Sequence, residues 1–223
     1  VVPGEVARPA SADEVAGLLR AAAADGRTVV PVGGRSKLGW AAPPESCDLV
    51  LDLTGLDRVV EHVAGDLTVV AEAGVRLADL QAGLGESGQQ LGLDPPEEGA
   101  TLGGVVSANA SGPRRLHFGT ARDLLIGITV VLADGTVAHA GGKVVKNVAG
   151  YDLGKLFTGA HGTLGVITST TWRLHPVPPA RRVVTLELPD AAAAGPLAVA
   201  LARSTLTPSA VELTGAAGGA ARL

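Results

Sequence analysis

The residues of this chain best suited to chemistry by type and spacing are mostly glycines. Between Gly141 and Pro178, a Lys146-Asn-Val-Ala-Gly-Tyr-Asp152 string precedes Gly159, Gly162 and Gly165, and the chain then leaves on Val166-Ile167-Thr168. Glycine has no Cβ, so such a run brings bare backbone against something bulky. Two earlier stretches have the same character. Pro31-Val-Gly-Gly-Arg-Ser-Lys-Leu-Gly39 ends an apolar run on paired glycines, and successive N–H groups in such a turn form a concavity for phosphate oxygens. It has neither the Gly-Lys-Ser/Thr order nor the G-x-G-x-x-G spacing of the common nucleotide loops. Gly99-Ala-Thr-Leu-Gly-Gly-Val-Val-Ser-Ala-Asn-Ala-Ser-Gly112 opens a short helix at Gly103-Gly104, and its small residues Ser107, Ala108 and Ala110 would let a ligand lie against the backbone. Taken singly, each stretch is also explained by a tight turn, close helix–strand packing or chain reversal. Three such platforms together point to a large cofactor with a pyrophosphate and a flat ring.

The polar side chains say less. Lys146, Asn147, Tyr151 and Asp152 are of types that could touch a substrate or a ring. Asp152 serves equally well as the cap of a short helix running to Phe157, and Tyr151 as a packed aromatic. His62, His117, His139, His161 and His175 form no H-x-H or H-x-x-x-H pair, so no metal site is expected. His161 is the candidate among them because of its loop, against the plainer reading of a solvent-facing histidine. Arg114-Arg115 could hold a carboxylate or a phosphate, or form a solvated pair. No residue is identified as a catalytic base.

These residues need elements to position them. Ser11 to Ala24 reads as a helix with an S-x-x-E capping box at Ser11 and Glu14, a buried face of Val15, Leu18, Leu19 and Ala22, and a stop at Gly26. With a short strand near Val6 and strands at Thr28–Val32 and Leu49–Leu53, this is a β-α-β start. Strands are expected at Asp57–His62, Thr68–Glu72, Ile126–Leu132, Thr136–Ala140 and Val166–Leu174, with a helix at Leu77–Ser87. Ala133-Asp134-Gly135 is a hairpin signal. Pro176, Pro178 and Pro179 break the pattern. A strand at Arg182–Leu188 and an Ala-rich helix from Asp190 to Arg203 then follow.

The 223 residues are 46% hydrophobic but only 2% aromatic, so the core must be aliphatic. The net charge of −4 and the lack of a Lys/Arg stripe argue against nucleic-acid binding. Cys47 is the only cysteine, which leaves no internal disulfide and no Cys-ligated cluster and fits a reducing cytoplasm. No apolar run reaches the roughly 20 residues of a membrane span. The lack of any methionine and the final GAAGGAARL suggest a trimmed or partial chain.

Val32-Gly33-Gly34-Arg35-Ser36, Gly99-Ala-Thr-Leu-Gly-Gly-Val-Val, Ala110-Ser-Gly-Pro-Arg-Arg115, Lys146-Asn-Val-Ala-Gly-Tyr-Asp-Leu153 and Gly162-Thr-Leu-Gly-Val-Ile-Thr168 resemble the FAD-binding domain of the vanillyl-alcohol oxidase type, also called the PCMH type. Within it they are most similar to FAD-binding subunits of bacterial glycolate oxidases. The resemblance covers about residues 5 to 178, and Leu206-Thr-Pro-Ser-Ala-Val-Glu-Leu213 resembles the start of that family's C-terminal domain. It implies an α+β fold of two α+β subdomains, residues 1–55 and 56–178, with the cofactor between them, and the incomplete start of a C-terminal cap or substrate domain at 179–223. It further implies that Val32, Gly33, Gly34, Arg35 and Ser36 hold the FAD pyrophosphate. Thr101, Leu102, Gly103, Gly104, Ser107, Ala108, Ser111 and Gly112 would line the cofactor, and Gly165, Val166 and Ile167 would present backbone to its adenine or flavin end. The first loop carries Arg35 where some relatives attach FAD through a histidine, so the FAD would be non-covalent. Ala160-His161 replaces the Ser-Glu common in the third turn.

The implied function is oxidation of a 2-hydroxy acid to a 2-oxo acid. Electrons would pass to partners, a second FAD-containing catalytic subunit and an iron–sulfur subunit, in the cytoplasm or at a membrane through those partners. The alternatives are a non-catalytic FAD electron-relay or assembly module, and a D-lactate dehydrogenase-like or UDP-sugar reductase-like enzyme of the same fold.

Overall fold

The structure is a computed structural model that describes residues 4–143, 151–215 and 221–223. Its first layer contains β1 (Glu5–Ala7), α1 (Ala12–Ala24), β2 (Val29–Val32) and β3 (Leu49–Asp52), with the strands in a parallel sheet of order β1-β3-β2. α1 begins where Ser11 Oγ accepts the Glu14 N–H at 3.2 Å. The Glu14 carboxylate accepts the Ala10 N–H at 2.9 Å rather than that of Ser11, so the expected box is closed one residue earlier. The helix ends in a Schellman motif: Gly26 sits at φ +66°, and the N–H groups of Arg27 and Gly26 donate to Ala22 and Ala23. Val15, Ala16, Leu19 and Ala22 are buried against Leu49, Leu51, Leu53 and Leu56. Leu18, expected in that face, is half-buried, because Ala16 takes the deeper position.

The second layer runs β4 (Val59–Val63), β5 (Thr68–Glu72), α2 (Leu77–Glu86), β6 (Gln89–Gln90), α3 (Leu102–Ala108), α4 (Arg115–Phe118), α5 (Ala121–Leu124), β7 (Leu125–Val131), β8 (Val137–Gly141), α6 (Leu153–Phe157), β9 (Val166–Arg173) and β10 (His175–Pro176). Five strands form an antiparallel sheet of order β4-β5-β9-β7-β8, and β6 pairs with β10 beside it. β9 is central and buried along most of its length, and its Trp172 donates to Thr170 Oγ1 at 2.8 Å within the core. The β7–β8 hairpin turns at Gly135, φ +79°, with Asp134 accepting the Thr136 N–H. Arg20 of α1 donates to the Gly135 carbonyl at 3.1 Å, and Val131 and Val166 join the cluster under α1. The two layers thus meet at the end of β7 and the start of β9.

Beyond β10 lie β11 (Glu187–Leu188), α7 (Ala194–Arg203), β12 (Thr214–Gly215) and β13 (Ala221–Arg222), with an antiparallel order β11-β13-β12. The strand expected over Arg182–Leu188 shrinks to its last two residues, since Val183 and Val184 are 91% and 77% exposed and no partner strand covers them among the described residues. The helix expected from Asp190 begins at Ala194. Asp190 instead accepts the Ala193 N–H at 2.9 Å in a turn before the helix, and Pro196 falls in the first helical turn, where its missing N–H does no harm.

Candidate cofactor cleft

A cleft of about 520 Å³, counting its open mouth, lies where the two layers meet. Pro31, Val32 and Gly33 enter it from the end of β2, and Leu53 and Ala73 from just past β3 and β5. Thr101, Gly103, Gly104 and Ser107 form one wall on α3. Phe157, Ala160, His161, Gly162, Gly165, Val166 and Ile167 form another, from the end of α6 to the start of β9.

The first turn is held by protein and leaves its donors open. A Cβ on Gly34 would stand 1.8 Å from the Gly99 carbonyl oxygen, and one on Gly33 2.3 Å from Thr101 Oγ1. Arg35 is left-handed at φ +57°, and its guanidinium reaches Asp52 at 3.3 Å. Burial pushes the Asp52 carboxyl up, but hydrogen bonds from the Thr54 hydroxyl and N–H, with the charges of Arg35 and Arg8, hold it below the usual carboxylate range. Lys37, its side chain only 8% exposed, places Nζ 3.1 Å from Ser36 Oγ and 3.2 Å from Glu97 Oε2. The Glu97 contact is one of charge, because that oxygen has no aligned hydrogen bond among the described residues. Among the described residues, none accepts a hydrogen bond from the N–H of Gly33, Gly34, Arg35 or Ser36.

The second turn is built differently. Thr101 occupies the N-cap of α3, yet its hydroxyl makes no cap bond. The Leu102 and Gly103 N–H groups donate to Val75 and Ala73 at 2.9 and 2.8 Å, and a Cβ on Gly103 would stand 2.8 Å from that of Ala73. Thr101 Oγ1 is buried without a hydrogen-bond partner among the described residues. The third turn clips onto the far end of the same helix. The Gly159 and His161 N–H groups donate to Val106 and Ser107 at 3.0 and 2.9 Å, with φ of +80° at Gly159, +52° at His161 and +78° at Gly162.

Of the residues expected at the site, Val32, Gly33, Thr101, Gly103, Gly104, Ser107, Gly165, Val166 and Ile167 share this cleft. Gly34, Arg35 and Ser36 continue the first turn beyond its lining. Leu102 is fully buried, with its side chain in the main core. Ala108 lies in the last turn of α3, Ser111 has a buried hydroxyl with no partner among the described residues, and Gly112 packs on Asp94, where a Cβ would lie 1.9 Å from the carbonyl oxygen. Lys146 and Asn147 lie outside the described residues. Tyr151 is 94% exposed rather than packed. Asp152 caps α6 by accepting the Lys155 N–H at 3.0 Å and pairs with Arg122. Sequence reasoning missed Pro31, Leu53, Ala73 and Phe157, because apolar residues at a cleft carry the same pattern as core residues. Among the described residues, no three His, Cys, Asp or Glu side chains gather as a metal site, and no helix is long and apolar enough to cross a membrane.

Open backbone donors beside a glycine-walled cleft with an unpartnered buried hydroxyl fit a ligand that combines a diphosphate with a flat group. Residues 3–141 match the sequence model of the FAD binding domain. The chain belongs to that family, in its PCMH-type branch. FAD is the cofactor of this family. The FAD-binding domain is 35% identical over 174 residues to an uncharacterized FAD-linked oxidoreductase of Mycobacterium tuberculosis strain H37Rv, across 78% of this chain and 38% of that protein. It is 33% identical over 184 residues to glycolate oxidase subunit GlcD of Bacillus subtilis, across 82% of this chain and 39% of that one. A solved structure of alkyldihydroxyacetonephosphate synthase superposes with a TM-score of 0.80 at 26% identity, covering 92% of this chain and 38% of that one. The chain therefore spans about two-fifths of the length of the curated relatives it matches.

Proposed function

We propose that this domain holds non-covalent FAD for an oxidoreductase that converts a 2-hydroxy acid to the 2-oxo acid, working with partner subunits that carry the electrons onward. The observation that carries this reading is the row of open N–H donors from Gly33 to Ser36 beside the glycine-walled cleft. When bound, FAD supplies the redox chemistry, and the protein supplies position and electrostatics. In this reading the N–H groups of Gly33, Gly34, Arg35 and Ser36 bind the pyrophosphate, and the Thr101 hydroxyl gains the partner it lacks. Gly104 and Ser107 let a flat ring approach the backbone of α3, and Gly103 lines the same wall while seating α3 against Ala73. Ala108, Ser111 and Gly112 extend that wall, Gly165 to Ile167 close the opposite side, and Leu53 and Phe157 keep water out. Residues 1–55 and 56–178 act as the two halves that grip the cofactor, and 179–223 begins a cap. The 2-hydroxy-acid substrate class and the subunit role are supported by the name of the B. subtilis relative.

A second reading is that of an electron relay without its own substrate chemistry. It is favoured by the cleft lining, where His161 is the one titratable side chain among the described residues.

Two measurements separate the readings. Titration with FAD should quench flavin fluorescence and give a protein-bound flavin spectrum; no binding sinks both. Dye reduction by glycolate or D-lactate with the FAD-loaded protein alone supports the first and excludes the pure relay. Reduction only after the partner subunits are added supports the relay.

A further inference from the structure

Arg114 and Arg181 converge on a single neutral atom. Arg114 Nη2 donates to Gln90 Oε1 at 2.6 Å, and Arg181 Nη2 donates to the same oxygen at 3.1 Å. The Gln90 amide is oriented for this by its own donation to the Pro176 carbonyl at 2.9 Å. Neither guanidinium forms an ion pair with a carboxylate among the described residues. Each keeps N–H donors beyond the one it spends on Gln90. Two like charges brought together without an acid between them repel. Burial, with the nearby charge of Arg181, pulls the Arg114 pKa down, and Asp94 opposes this only in part.

The surroundings select the anion that would relieve the repulsion. Arg114 lies over the Phe118 ring at 4.8 Å, which gives the pair an apolar floor. His117 and His175 flank that ring edge-on at 4.7 and 4.8 Å, and His175 Nδ1 is buried without a partner among the described residues. Arg173 is the further cation close to His175. On the acidic side stands Asp94, which accepts the Arg114 N–H at 3.1 Å, with Glu212 acting on it from a longer range. Two guanidiniums against one carboxylate leave about a single positive charge, which suits a monoanion better than a dianionic phosphate. The flat fork of a guanidinium suits a flat carboxylate. Arg114 follows the proposed FAD-lining stretch by two residues after Gly112, within about 7 Å of chain. Arg181 is exposed, so the pair opens to solvent.

We propose that Arg114 and Arg181, oriented by Gln90, form a subsite for the carboxylate of a small monocarboxylic acid beside the FAD cleft. The assignment of that acid as the 2-hydroxy-acid substrate rests on the proposed function.

The test is an NMR titration with glycolate that follows the arginine Nε–H signals, on the FAD-free and the FAD-loaded protein, with sulfate as the competing probe. Glycolate should shift two arginine signals that vanish in Arg114→Met and Arg181→Met, and each variant should bind glycolate at least tenfold more weakly while Arg181→Met keeps the flavin spectrum. Unchanged glycolate affinity in Arg181→Met, whether or not its melting temperature falls, makes the pair a structural tie and overturns the proposal. Sulfate binding as tightly as glycolate through the same arginines also overturns it. Failure of FAD to bind while glycolate still shifts both signals removes the proposed function and leaves the subsite standing.

Discussion

The chain makes two Gly-Gly steps next to the cleft, and the pair at Gly33-Gly34 differs in kind from the pair at Gly103-Gly104. At the first, the glycines press on Gly99 and Thr101 while their N–H groups stay open. At the second, the Leu102 and Gly103 donors at the head of α3 are already spent on Val75 and Ala73, and Gly103 is required by the nearness of Ala73. Identical dipeptides therefore serve different ends: the first presents both of its donors, whereas the second keeps only the Gly104 N–H open among the described residues and lets a helix pack against a strand end. A Gly-Gly motif identifies an anion site only when its amides have nowhere else to go.

The largest effect should come from Gly34→Ala. Its Cβ would meet the Gly99 carbonyl, backbone that has no rotamer to escape into. A loss of about 3 kcal/mol in chemical denaturation, the upper end for overpacking, should accompany loss of FAD fluorescence quenching. A variant that stays within about 0.5 kcal/mol of the parent would break the comparison. Gly103→Ala comes next. Crowding against Ala73 should cost about 2 kcal/mol, partly offset by the better helix propensity of alanine. The soluble fraction should keep FAD affinity within about threefold, because no open donor is lost. Thr101→Val should reverse that pattern. Removing a buried hydroxyl without a partner leaves the FAD-free protein as stable or slightly more so, while the FAD Kd should rise about tenfold, equivalent to about 1.4 kcal/mol.

The smallest effect lies outside both steps and calibrates them. Burial, then the charges of Arg173, His117 and Arg114, hold His175 below its ordinary value of 6.5. The unfolded chain therefore takes up a proton more readily than the folded one. The corresponding stability is present above about pH 6.5 and is lost as the pH falls through the lower folded value. His175→Asn should flatten the pH dependence of the melting temperature below that point.

Reading the sequence worked where a local rule had no competitor. α1 follows its apolar spacing and its Schellman stop, and the β7–β8 hairpin follows Asp134-Gly135. It failed where pairing depends on distant partners. Gln89 and Gln90 are polar and form a two-residue strand only because His175 and Pro176 lie alongside. Val183 and Val184 have strand propensity but no strand to meet among the described residues. The α5 capping box between Thr120 and Asp123 was readable and went unread among the short helices. At the cleft, glycines and small residues announced the walls, while Leu53, Ala73 and Phe157 looked like ordinary core. The Lys37–Glu97 contact joins residues too far apart in the chain for any local pattern to pair them.

The two amide bonds from Gly159 and His161 to the end of α3 have a consequence for how a ligand gets in. They make the α3 wall and the 159–167 wall one rigid jaw, while among the described residues the exposed stretch from Leu38 has no such backbone ties to α3. Loading should proceed by movement of the first turn alone. Trypsin cleavage after Arg35 should therefore slow sharply once FAD is bound, whereas cleavage after Lys155 should hardly change.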